Sequence, residues 1–139
     1  MPIHSKPHPR NLITKLAGYT GVITDLNSVT FVDCLLDVMH ELMIQRATGV
    51  FHVVNPGPLS AANIMGKYMD LVDHNHGFMQ TTVEKLLAEG KIVAKRSNVT
   101  LQTKALADMG LTLPHTCDLL DDTLRAYKKE LDEANTEGV

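Results

Sequence analysis

Three short stretches of this chain have the composition of β-strands, Gly21 to Thr24, Val50-Phe51-His52-Val53-Val54 and Ile92-Val93-Ala94, and long helix-forming segments separate them. That spacing constrains the fold more than any other feature. Two or three short strands with long connections do not make a complete doubly wound sheet. They either extend a sheet supplied by something else or form a small one with helices packed around it. The fold class is therefore α/β and helix-rich. A length of 139 residues, 44% of them hydrophobic, suits one domain with a real core.

The helical segments follow from apolar spacing and caps. Asn11 to Leu16 reads as a short helix ended by Gly18, after nine residues whose three prolines disfavour regular structure. Val32, Leu35, Leu36, Met39, Leu42 and Met43 mark one face of a helix running to about Arg46, with Thr30-Phe31-Val32-Asp33 as its capping box and Gly49 as its stop. Asn55-Pro56-Gly57-Pro58 is a rigid turn, and Ser60 caps a helix whose inner face is Ile64, Met65, Tyr68, Met69 and Val72. Asp73 to Gln80 reads as a loop. Thr82 to Glu89 and Thr103 to Met109 are short helices closed by Gly90 and Gly110. Asp118 opens the last helix, with Leu119, Leu120, Leu124, Tyr127 and Leu131 along one side. Residues 132–139 are polar and expected to be a disordered tail of a single domain, 1–139.

Composition removes several function classes. A net charge of −3 and a pI near 6.1 leave no basic field for nucleic acid. No apolar run reaches the roughly 18 residues that span a bilayer, and the N-terminal segment lacks the apolar core of a signal peptide. Cys34 and Cys117 stand far apart with no ligand or redox spacing, as expected of thiols in a reduced, cytoplasmic compartment. His4, His8, His74 and His76 fall in an N-terminal arm and a loop without any HExxH or CxxC pattern, so no metal site is expected. The acid pairs Asp121-Asp122 and Asp132-Glu133 fit a solvated helix face better than general acid–base work.

Two further motifs are missing. The nearest approach to a dinucleotide-binding turn is Gly18-Tyr19-Thr20-Gly21, which has no third glycine and no long helix behind it. Tyr19, Tyr68 and Tyr127 are followed four residues later by Ile23, Val72 and Leu131, so no tyrosine–lysine catalytic pair is encoded. The sequence therefore offers neither catalytic nor cofactor-binding residues. What remains is polar side chains at element ends, Arg10, Asn11, Lys15, Asn55, Arg96 and Asn98. An arginine fork after a strand can grip a phosphate at two points, although surface ion pairs or capping are the commoner role of such residues.

In combination these segments resemble a known family. Met1-Pro2-Ile3 with Pro9-Arg10-Asn11-Leu12-Ile13-Thr14-Lys15-Leu16, Asn27-Ser28-Val29-Thr30, Gly49 to Gly57 and Lys91 to Asn98 are similar to segments of extended short-chain dehydrogenases acting on nucleotide-sugars. The strongest likeness is to the bifunctional dTDP/UDP-4-keto-6-deoxyglucose 3,5-epimerase/4-reductase enzymes of rhamnose synthesis, related to dTDP-4-dehydrorhamnose reductase. It spans roughly residues 1–130 and covers only the C-terminal substrate-binding lobe, the Rossmann half being absent. The resemblance implies that Asn11 and Arg96, with Lys15 and Asn98 beside them, contact the diphosphate of a nucleotide-sugar. It implies NADPH as the hydride donor of a complete enzyme, none of it bound by this chain. The expected partners are a nucleotide-diphosphate sugar and either a catalytic Rossmann lobe or a second copy. A free-standing nucleotide-sugar-binding or regulatory module, or a degenerate interaction and dimerisation domain, are the alternative readings.

Overall fold

The computed structural model describes residues 1–95 and 97–137. Its elements in order are β1 (Pro2–Ile3), α1 (Leu12–Ala17), β2 (Gly21–Ile23), β3 (Thr30–Phe31), α2 (Val32–Ile44), α3 (Ala61–Leu71), β4 (Met79–Thr81), α4 (Val83–Ala88), α5 (Lys104–Asp108) and α6 (Thr116–Glu137). The strands form two separate parallel pairs. β1 pairs with β3, placing Pro2 opposite Thr30 and Ile3 opposite Phe31. β2 pairs with β4, placing Val22 opposite Gln80. The architecture is the expected helix-rich α/β one, but the strands are not those expected.

Two corrections concern strands. Val50 to Val54 is extended without a ladder: Asn55 N–H donates to Val29 C=O at 3.0 Å and the Thr30 hydroxyl donates to Val53 C=O at 2.8 Å, leaving the far side of the segment open. Its apolar residues are the right ones, but no neighbouring strand is available among the described residues to complete the pairing. Ile92 to Ala94 forms bends rather than a strand, with Val93 fully exposed. Conversely, β1 and β4 lay in segments read as irregular. Two- and three-residue strands carry no readable alternation, and only their partners far along the chain define them.

Most helices follow the sequence. Asn11 caps α1 by accepting from Ile13 N–H, and Gly18 closes it. Ser60 and Asn63 form a reciprocal capping box on α3. Thr82 caps α4, and Gly90 and Gly110 follow α4 and α5 with φ of 67° and 75°. The capping box expected at Thr30 does not form, because Thr30 belongs to β3 and its hydroxyl serves Val53; Phe31 is the cap residue. The last helix starts two residues before Asp118, with the His115 ring accepting from Cys117 N–H at 3.2 Å. Residues 132–137, expected as a disordered tail, continue α6, and 138–139 lie outside the described residues.

One core unites both ends of the chain. Ile3, Ile13, Leu16, Val22 and Phe31 pack with Ile64, Met65 and Tyr68 of α3 and with Leu120, Leu124 and Tyr127 of α6. Thr14 Oγ1 and the Tyr127 hydroxyl meet at 2.8 Å, tying α1 to α6. The exception is α2. Val38 is its only fully buried residue, whereas Leu36, Met39, Met43 and Ile44 are 57, 47, 74 and 61% exposed. An amphipathic helix with its apolar stripe in water is a face without its partner.

Candidate functional site

A concavity of about 850 Å³ opens beside α1. That size lies within the range of small-molecule sites. One wall is Leu12, Lys15 and Leu16 of α1, a second runs from Gly18 to Ile23, and a third is Val83 and Leu86 of α4. Residues 97–99 and 101, a strap between α4 and α5, complete the lining. A more open groove along α6, among Arg125, Lys128 and Asp132, is made by side chains of a single helix and encloses nothing.

Charge in the cavity is uneven. Arg10 and Lys15 are exposed, and among the described residues neither has an acidic partner, so both cations are available to an anion. Lys91 also lines the cavity but is held by Glu89 at 2.8 Å, and that hydrogen bond is the main reason the Glu89 carboxyl sits below its usual range. The rest of the lining mixes apolar side chains, Val83, Leu86 and Ile92 with the half-exposed Tyr19, and polar ones, Thr20, Asn27, Ser28, Ser97 and Asn98. Such a lining suits a ligand that carries an anionic group together with a flat or apolar one.

The four residues expected at the diphosphate separate. Lys15 and Asn98 line the cavity. Asn11 does not: it is 5% exposed, and its side-chain NH2 donates to His4 C=O at 2.6 Å and Lys6 C=O at 3.0 Å, while its oxygen accepts from Ile13 and His4 N–H. Its carboxamide folds the 4–10 loop and thereby sets where Arg10 emerges. Arg96 lies outside the described residues. Arg10, the neighbour of Asn11, takes the cavity position the motif foreshadowed. Tyr19 and the strap-holding pair Asn27-Ser28 also belong to the lining; Asn27-Ser28 stands in a segment that carries the resemblance but had no site role assigned, and nothing in local sequence distinguishes Tyr19 from an ordinary turn residue.

Asn55-Pro56-Gly57 is a junction of the fold. Asn55 is 2% exposed; its oxygen accepts from Phe31 N–H at 2.9 Å and its NH2 donates to Pro114 C=O at 3.1 Å. Thr116 donates its N–H to Pro56 C=O and its hydroxyl to Gly57 C=O, so the turn holds the start of α6. Gly57 has φ of 85°, and a Cβ there would collide with the His115 ring.

A dinucleotide finds no cradle at Gly18–Gly21. Gly18 ends α1 in a right-handed conformation and Gly21 begins β2, which no helix follows directly, so no helix N-terminus faces a pyrophosphate there.

Parallel strand pairs with helices packed around them make a small α/β fold, and the comparisons with known proteins give it a kin. The chain is homologous to the enzymes that make dTDP- and UDP-linked rhamnose. It is 37% identical over 107 residues to the bifunctional dTDP-4-dehydrorhamnose 3,5-epimerase/dTDP-4-dehydrorhamnose reductase of Arabidopsis thaliana, covering 76% of this chain and 35% of that protein. The crystal structure of a UDP-rhamnose synthase from Acanthamoeba polyphaga mimivirus superposes with a TM-score of 0.81 at 28% identity, over 91% of this chain and 43% of that one. A dTDP-4-dehydrorhamnose reductase from Bacillus anthracis, determined with NADP, shares the fold at a TM-score of 0.66 and 19% identity, over 88% and 44%. The chain thus spans less than half the length of each of these relatives. No family profile matches it.

Proposed function

We propose that this chain is the nucleotide-sugar-binding segment of an NADPH-dependent 4-keto-6-deoxy-sugar epimerase/reductase of rhamnose synthesis, and that it is not catalytic alone. The observation that carries the reading is the pairing of Arg10 and Lys15, both without acidic partners, with the apolar lining at Tyr19, Val83 and Leu86 in one cavity. The cations meet the diphosphate, Asn98 adds an amide and Asn11 holds the loop that carries Arg10; Arg96, outside the described residues, is proposed as a further diphosphate contact on the resemblance alone. In a complete enzyme NADPH supplies hydride to the C4 ketone after epimerisation at C3 and C5. The residues of this chain bind and orient the sugar for groups on the other lobe. Fixing a reactant in this way removes entropy from the chemical step.

Isothermal titration with UDP and dTDP tests the reading. Binding is expected, with affinity falling about tenfold or more in Lys15→Ala, since a charge-assisted hydrogen bond contributes about 1.5–3 kcal/mol. A normally folded chain that gives no heat with either nucleotide overturns it. Loss of NADPH absorbance on adding a 4-keto-6-deoxy nucleotide-sugar to the chain alone would overturn the non-catalytic part.

A second reading, an interaction or dimerisation domain, is favoured by one specific observation, the exposed apolar residues Leu36, Met39, Met43 and Ile44 of α2. A Rossmann lobe would cover them. Sedimentation of the chain alone distinguishes a self-associating domain, which dimerises, from a lobe that waits for a different partner.

A further inference from the structure

Among the described residues the segment between α4 and α5 contains neither helix nor strand, yet residues 97–99 and 101 of it line the cavity as a strap. Among the described residues, the hydrogen bonds that tie this strap to the rest of the fold fall on Asn27 and Ser28. Val99 N–H donates to Asn27 Oδ1 at 2.9 Å, Ser28 N–H donates to Val99 C=O at 2.8 Å, and Leu101 N–H donates to Ser28 Oγ at 2.8 Å. Asn27 is itself fixed, because its backbone exchanges two hydrogen bonds of 3.0 Å with Leu59 beside the α3 cap. The strap is thus hung from a rigid point.

The bond from Val99 also decides which way the Asn27 carboxamide faces. An N–H can be met only by the amide oxygen, so the Asn27 nitrogen turns the other way, toward Asn98 Oδ1 at 3.5 Å and Asp25 C=O at 3.4 Å. Asn98 in turn shows its oxygen to a donor. Its NH2 group has no partner among the described residues, and Asn98 lines the cavity. An acceptor-only ligand such as a diphosphate needs that donor.

Building on the nucleotide-sugar reading above, we infer that Asn27 is a positioning residue for diphosphate binding. It clamps the strap and orients Asn98 so that the Asn98 NH2 donates to the ligand. Asn27 acts through Asn98, and its contribution vanishes when Asn98 cannot donate.

A double-mutant cycle on UDP affinity tests this by titration calorimetry on the full chain. Asn27→Ala and Asn98→Ala are each expected to weaken UDP about tenfold, and the double variant is expected to be no weaker than Asn98→Ala. Amide exchange at Val99 should quicken in Asn27→Ala before any ligand is added. Asn27→Asp guards against a folding failure, since it keeps the acceptor for Val99 N–H. It should weaken UDP in the parent and have little effect in Asn98→Ala. Losses that multiply to about a hundredfold, or an Asp effect of equal size in both backgrounds as simple charge repulsion would give, overturn the inference while UDP binding by the parent stands. A parent that binds no UDP overturns the nucleotide reading and the inference together.

Discussion

Asn55 shows what a single carboxamide can join: Phe31 from β3, Pro114 ahead of α6 and, through its backbone, Val29. Replacing it with alanine strands the buried Phe31 N–H, at about 1–3 kcal/mol, and removes the donor to the part-buried Pro114 C=O as well. Asn55→Ala is therefore expected to lower stability to urea by about 2–4 kcal/mol. Gly57→Ala combines a positive φ with a collision against His115 and should destabilise by at least about 1 kcal/mol in the same assay. The sequence identified Asn-Pro-Gly as a rigid turn, but its partners lie 24 to 60 residues away and carry no local mark. The same limit applies to Asn11, whose place at a helix start was readable and whose grip on His4 and Lys6 was not. Tyr68 offers a pH test. Burial is the chief cause that raises its hydroxyl above the usual tyrosine range, with Tyr127 and Asp73 adding to it. The native state then keeps that proton longer than the unfolded one, so the contribution is intact below about pH 10 and is lost as pH rises through the higher native value. Thermal melts of Tyr68→Phe should show a shallower alkaline decline than those of the parent.

Among elements, helices were legible because each carries its own period and its own caps. Strands were not, because pairing is a property of two segments. Val50 to Val54 has the composition of a buried strand and lacks a neighbour; β4, Met-Gln-Thr, has no such composition and pairs with β2. Helix α2 makes the contrast quantitative. Its period was read correctly, and the stripe so identified is exposed at Leu36, Met39 and Met43. Leu36→Glu is thus expected to change the chain's own stability by no more than about 0.5 kcal/mol, the range of ordinary surface substitutions, while abolishing any association through this face. Leu124→Ala, in the α6 face that is fully buried, should cost about 2–5 kcal/mol. Urea melts of the two variants side by side would separate a core helix from one whose apolar face awaits a partner.

At the scale of the molecule, the site is assembled from α1, β2, α4 and the strap, regions spread over about a hundred residues of sequence. Resemblance pointed to Lys15 and Asn98 because their motifs are local. It could not show Tyr19 or the Asn27–Ser28 clamp, which acquire meaning only when the strap returns across residues 27–28. The core has the same long reach. Ile3 and Ile13 near the start are sealed by Leu120, Leu124 and Tyr127 of α6, and β1 waits for β3 to be made. While this segment leaves the ribosome its interior therefore stays unfinished until α6 is made. Long-separation contacts of this kind slow folding and leave apolar surface open to aggregation in the interval. Ribosome-stalled nascent chains should accordingly remain protease-sensitive when arrested with residue 110 outside the exit tunnel and become resistant only once α6 has emerged. Helix α6 would then time the folding of this segment, so that a truncation ahead of it, far from the cavity, abolishes the fold as surely as a lesion within.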